Sequence, residues 1–173
     1  KEVEGISKKY SSKITEIGNI LREEIINPQL SKIEENKFEK INILVLGGSQ
    51  AAKIFAEELP EIFKKLKKNK IPFKVFQQCR NDQNDQLIKF YQDAEISYEI
   101  FNFTNNIISY YSRTNLVITR AGASVLAELI NVKLPFIAIP LPTSADNHQY
   151  KNAEFYQKKG YGYLLKEKDI KNK

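Results

Sequence analysis

Between Ile41 and Leu46 the chain reads INILVL, an almost unbroken apolar run. It stops at Gly47-Gly48-Ser49, and a helical pattern begins at once, at about Ala51. A strand with apolar residues on successive positions is covered on both faces, the condition of a parallel sheet held between helices. The rest of the chain repeats that unit. A helix to about Lys68 precedes a strand at PFKVF (72–76), and a polar helix at Asn84 to Asp93 precedes one at ISYEIF (96–101). A helix at Asn105 to Tyr111 leads to NLVIT (115–119), and ASVLAELINVK (123–133) is a helix before PFIAIP (135–140). A long helix at Asp146 to Lys159 then meets a short strand in GYGYLL (160–165). Strand and helix alternating with short turns define an α/β fold, a doubly wound parallel sheet of the Rossmann type.

Upstream, Ile14, Ile17, Leu21 and Ile25 fall at helical spacing and predict a short helix that ends before Asn27-Pro28. Residues 1–17 read as a linker or frayed end and 18–173 as one domain. The 173 residues can bury a full core. A lone cysteine, Cys79, leaves no internal disulfide to form, and with the single His148 it leaves no soft-ligand zinc cluster. The net charge of +6 comes almost wholly from scattered lysines, and arginine is confined to Arg22, Arg80, Arg113 and Arg120, which argues against a nucleic-acid partner.

In doubly wound sheets ligands lie beyond the carboxyl ends of the strands. The loop Gly47-Gly48-Ser49-Gln50 is there, and small residues at a helix start let an anion approach unpaired backbone N–H groups. Phosphate seat and simple helix cap by Ser49 are both open on this loop alone. It is not a P-loop, since no Gly-Lys-Ser/Thr closes it, and no acid ends the second strand (VFQQCR) to hold a nicotinamide ribose. A second small-residue loop, TRAGAS (119–124), also opens a helix. Glu128 lies one turn inside it, where a carboxylate can accept two ribose hydroxyls or simply complement the helix dipole. In the third loop, PLPTSADNHQYKNA, polar residues at a helix start suit sugar hydroxyls or serve as caps.

Taken together, LGGSQAA, TRAGASVLAEL and DNHQYKNA, with IGNILREE upstream, resemble in order and spacing the carboxy-terminal domain of the MurG family. That family is the lipid I N-acetylglucosaminyltransferase of peptidoglycan synthesis, a two-domain GT-B enzyme. The resemblance runs from about Gly18 to Leu165. It implies a domain that binds UDP-N-acetylglucosamine for inverting transfer to a lipid-linked muramoyl acceptor, with no metal and no cofactor. Carried over position by position, it implies that Arg22, Gly48 and Ser49 serve the inter-domain segment and the diphosphate, and that the backbone at Thr104 reads the base. It places Ala123, Ser124, Val125, Leu126, Ala127 and Glu128 around the diphosphate and ribose, with Glu128 on the ribose hydroxyls, and Gln149 and Asn152 on the sugar. His148 receives no catalytic role, and no catalytic residue falls in this chain.

The acceptor, lipid I, and the contact with the cytoplasmic face of the bacterial cell membrane would belong to an amino-terminal domain that this chain does not contain. Ala51 stands where the family usually has glycine, Ile20-Leu21 where it has Pro-Val, and QQCRND lacks its usual glycine. Other readings of the same residues are a UDP-N-acetylglucosamine epimerase, a split lipid-linked transferase subunit, or a nucleotide-binding module without catalysis.

Overall fold

The structure, a computed structural model, describes residues 6–15, 17–26, 40–48 and 53–170. Six strands form one parallel sheet: β1 (Ile41–Leu46), β2 (Phe73–Gln78), β3 (Ser97–Phe101), β4 (Leu116–Thr119), β5 (Phe136–Ala138) and β6 (Gly162–Leu164). Their order is β3-β2-β1-β4-β5-β6. The chain winds outward from β1 to β3, returns to the other side at β4 and winds outward again, so the switch in direction lies between β1 and β4. The carboxyl ends of those two strands are where a crevice opens in this topology.

Alternate residues of the strands face opposite ways and meet two separate cores. Leu44, Leu46, Phe76, Val117 and Phe136 join Leu126 and Leu129 of α5 (Ala123–Asn131). Ile43, Val45, Val75 and Ile118 join Phe55, Leu59 and Phe63 of α2 (Lys53–Lys68), with Leu87 and Tyr91 of α3 (Asn84–Asp93). The unbroken apolar run of β1 reflects this double burial, since Ile43 to Leu46 are all buried.

Two differences from the sequence reading stand out. The helix expected from Ile14 to Ile25 forms only at its end, as α1 (Glu23–Ile26), after a 3₁₀ turn at Lys8–Lys13. Gly18 has a φ of +71°, outside the helical range, and Ile17 and Ile20 are 76% and 85% exposed, while Leu21 packs partly buried against the core that Ile25 enters. At the other end GYGYLL is followed by a one-turn helix that the sequence reading left out, α7 (Glu167–Ile170), whose Ile170 packs with α2 and α3. The remaining helices are α4 (Ile108–Tyr111), shorter than expected, and α6 (His148–Lys158).

The helices end in a repeated way. Lys70, Glu95, Lys133 and Gly160 all have positive φ, and the next residue donates its N–H five positions back: Ile71 to Leu66, Ile96 to Tyr91, Leu134 to Leu129, Tyr161 to Tyr156. This is the left-handed closure that usually employs glycine. It turns the chain at once into the next strand. Substituting Lys133→Gly is therefore expected to raise stability by about 1 kcal/mol by relieving a left-handed side-chain-bearing residue, read from urea denaturation. Gly162 is the opposite case: a Cβ there would collide with the ring of Phe136, which is 1% exposed and held in the core. Gly162→Ala should lower stability by about 1–3 kcal/mol through overpacking, in the same assay.

Candidate functional site

A cleft of about 870 Å³ opens at the carboxyl edge of the sheet. Every strand from β1 to β5 sends its following loop to the wall: Gly47 and Gly48, then Cys79 and Arg80, Asn102 and Phe103, Arg120 and Gly122, and Leu141. Gly48 has a φ of +77° with open space where a Cβ would stand, so the turn, not crowding, requires glycine. Ser49 lies outside the described residues, as do Gln50, Ala51 and Ala52.

The amino end of α5 borders the same cleft. Gly122 is its N-cap and supplies no side-chain bond, so the first-turn N–H groups of the helix keep their donor capacity and their partial positive charge. Ala123 and Ser124 are exposed, and Val125 lines the wall. Leu126 is fully buried in the core and Ala127 is nearly so, and neither lines the cleft.

Glu128 is buried at 8% exposure. A carboxylate so placed requires partners, and it has two. Arg22 donates from Nε at 3.1 Å and from Nη2 at 2.9 Å to Oε1, while the Tyr111 hydroxyl donates to Oε2 at 2.9 Å. The segment carrying Arg22 is moored to α5 by Ile25, buried in the core, and by Asn131 Nδ2, which donates to the Ile25 carbonyl at 2.7 Å. Burial, followed by the Glu128 charge and its hydrogen bond, pushes the Tyr111 phenol well above its usual range, so it remains a donor.

The other expected residues serve the loops. Gln149 lines the cleft, and its Oε1 accepts from the Leu141 N–H at 2.9 Å. Asn152 donates to the Ala121 carbonyl at 3.1 Å, tying α6 to the loop before α5. Thr104 Oγ1 accepts from the Asn106 N–H at 3.0 Å, shaping the turn after β3. His148 is exposed, with Nδ1 2.8 Å from the Ala145 carbonyl.

The sequence reading passed over three features of this cleft. Arg120 sits inside TRAGAS, yet it was not singled out. Its Nη1 is 2.5 Å from Glu167 Oε2 in an ion pair without hydrogen-bond alignment, and its guanidinium lies 4.9 Å from the Phe55 ring centroid. Phe103 is 80% exposed on the wall, an unusual place for a large ring and a signal legible in "FNFT" only once β3 is known to end there. Cys79, Asn84 and Asn102 form a small network: Cys79 Sγ donates to Asn84 Oδ1 at 3.0 Å, and Asn102 Nδ2 donates to the same oxygen at 2.9 Å and to the Cys79 carbonyl at 3.0 Å. Burial, with help from Asp82, pushes the Cys79 thiol up to about 11, which keeps it an uncharged member of that network.

Among the described residues no group of three or more His, Cys, Asp or Glu side chains could hold a metal ion, and no helix is long and apolar enough to cross a membrane. The arrangement suits an elongated ligand: a polyanion at the backbone of Gly48 and the start of α5, a flat ring at Phe103, and hydroxyls at acidic or amide side chains.

Comparison with known proteins gives the family and the fold. The model of the glycosyltransferase family 28 C-terminal domain matches residues 42–173. A UDP-N-acetylglucosamine–N-acetylmuramyl-(pentapeptide) pyrophosphoryl-undecaprenol N-acetylglucosamine transferase of Pelagibacter ubique is 42% identical over 166 residues, 95% of this chain and 45% of that protein. The enzyme of the same name from Rickettsia bellii is 38% identical over 156 residues, covering 88% and 44% respectively. This chain thus spans about half the length of the curated relatives it matches. Among solved structures, MurG of Acinetobacter baumannii superposes with a TM-score of 0.74 at 28% identity, over 86% of this chain and 44% of that one. The solution structure of ALG13 shares the fold, with a TM-score of 0.54 at 14% identity over 74% of this chain and 79% of its own. The two glycine loops, the parallel order of the strands and the family match agree: the chain belongs to the glycosyltransferase family 28 carboxy-terminal domains.

Proposed function

We propose that this chain is the donor-binding half of a transferase that moves N-acetylglucosamine from its UDP ester to an undecaprenyl-diphosphate-linked muramoyl acceptor, converting lipid I to lipid II. The observation that carries the reading is the uncapped start of α5 on a cleft of about 870 Å³, with Glu128, a buried and partnered carboxylate, further along the same helix behind the residues that line the wall. The relatives' printed names support the substrate pair.

In this reading the diphosphate rests on the backbone of Gly48, with Ser49, and on the first turn of α5. Glu128 takes the ribose hydroxyls, with Arg22 moving aside from Oε1. The backbone at Thr104 reads the uracil, and Gln149 and Asn152 face the sugar. The acceptor hydroxyl attacks the anomeric carbon from the face opposite UDP, the bond to the diphosphate oxygen breaks, and configuration inverts. Charge building on the departing UDP is met by the dipole of α5 and by backbone N–H groups, a preorganised electrostatic contribution that needs no metal. The acceptor site, the base that takes the hydroxyl's proton and the attachment to the cytoplasmic face of the cell membrane belong, in this reading, to an amino-terminal domain.

Calorimetric titration tests the donor half directly. UDP-N-acetylglucosamine is expected to bind this chain while ATP and NAD do not, and Glu128→Gln should weaken binding by about 1–3 kcal/mol, the value of a hydrogen bond to a charged acceptor. Binding of ATP or NAD in preference to the UDP-sugar would overturn the reading. Conversion of free UDP-N-acetylglucosamine to its manno isomer would replace the transferase with an epimerase.

A further inference from the structure

The two donors on Glu128 differ in how firmly they are held. The Arg22 side chain is 46% exposed and reaches in from outside the sheet. Tyr111 is 3% exposed and belongs to the core beneath α5. Its helix is short but well fixed. Ile107 just before it is buried, Tyr110 stacks on Phe101 with ring centroids 4.2 Å apart, and Thr114 Oγ1 donates to the Tyr110 carbonyl at 2.8 Å. A core position that wanted only a ring would have no use for a hydroxyl, because an unpaired buried hydroxyl is costly. Here the hydroxyl has one partner, Glu128 Oε2.

Among the described residues Oε1 accepts twice, both times from Arg22, and Oε2 once, from Tyr111. The exchangeable cation therefore covers one oxygen and the fixed phenol holds the other. A hydrogen bond from a rigid donor sets the rotation of a carboxylate and leaves the opposite oxygen oriented for an incoming donor pair.

We propose that Tyr111 is a positioning residue for donor recognition: by holding Oε2 it orients Glu128 so that Oε1, the oxygen Arg22 covers, is offered to the vicinal hydroxyls of a ribonucleotide. The proposal rests on the reading of Glu128 as the ribose acceptor. It gives the hydroxyl of Tyr111 a specificity role that its ring does not have, and it assigns α4, the helix between the base-reading turn and β4, to the ribose end of the donor.

The test separates orientation from packing by using a nucleotide that lacks the hydroxyls concerned. UDP and 2′,3′-dideoxy-UDP are titrated into this chain and into its Tyr111→Phe, Glu128→Gln and doubly substituted forms. Tyr111→Phe keeps the ring and should weaken UDP about three- to tenfold, the effect of an ordinary hydrogen bond because Tyr111 acts on the nucleotide only through Glu128, while leaving the dideoxy nucleotide unchanged. In the Glu128→Gln background the second substitution should cost nothing more, since the two act as one unit. Equal loss for both nucleotides, no loss for either, or losses that simply add would overturn the proposal and leave Tyr111 a packing residue. If the unsubstituted chain binds both nucleotides equally, Glu128 is not the ribose acceptor and the proposal falls with it. If it discriminates and Tyr111→Phe discriminates by the same factor, only the role of Tyr111 falls.

Discussion

β1 pairs with β2 along Ile41–Val45 and with β4 along Ile43–Leu46, so its backbone is bonded on both edges while Ile43 to Leu46 are buried on both faces. A strand in that position cannot end gradually. Its backbone groups lose their sheet partners at Leu46, and the chain must turn within a residue or two to reach the helix that covers one face. Gly47 and Gly48 make the turn, and a tight turn made of glycines at the switch in strand order is also a place where a ligand can touch the main chain. The cleft is thus a by-product of how the sheet is wound, and the loops from β2 to β5 complete its walls.

What the loops add is charge of both signs under different constraints. Arg120 and Glu128 are largely withdrawn from solvent and each has an opposite partner, Glu167 and Arg22. Arg80 and Lys53 stand in the open on the same cleft, paired to Asp82 and Glu57 close by in sequence. Exposed pairs of that kind contribute little and rearrange readily. Breaking a buried pair leaves an uncompensated charge, so Arg120, whose pair with Glu167 is withdrawn on both sides, is held in place. The wall is therefore rigid at Arg120 and adaptable at Arg80 and Lys53.

The strands, their order of appearance and the three loops were legible because each depends on local pattern: apolar runs, glycine punctuation and helical spacing. The helix expected from Ile14 to Ile25 failed because spacing alone does not supply a surface to bury against: Ile17 stays exposed, while Leu21 and Ile25 reach the core. α7 was missed because a single turn in KEKDIKNK shows no period. The environment of Glu128 could not be read at all. Arg22 is 106 residues away in sequence and Tyr111 is 17, and nothing near either one announces a shared carboxylate. Resemblance placed Arg22 and Glu128 at the same site but not against each other. Ser49, central to the expected phosphate seat, lies outside the described residues, and its part rests on the sequence alone.

The ion pair between Arg120 and Glu167 has a bearing on the order in which this domain is completed. The two residues come from opposite ends of the second half of the sheet, and Glu167 is carried by the last described turn, anchored by Ile170 in the core of α2 and α3. A ribosome delivers that turn after every strand has emerged. Until it docks, the Arg120 guanidinium in the wall of the cleft has carbonyl oxygens and an aromatic ring around it but lacks the countercharge that Glu167 brings. The sheet can assemble earlier; this part of the cleft acquires its countercharge only when the Glu167 turn arrives.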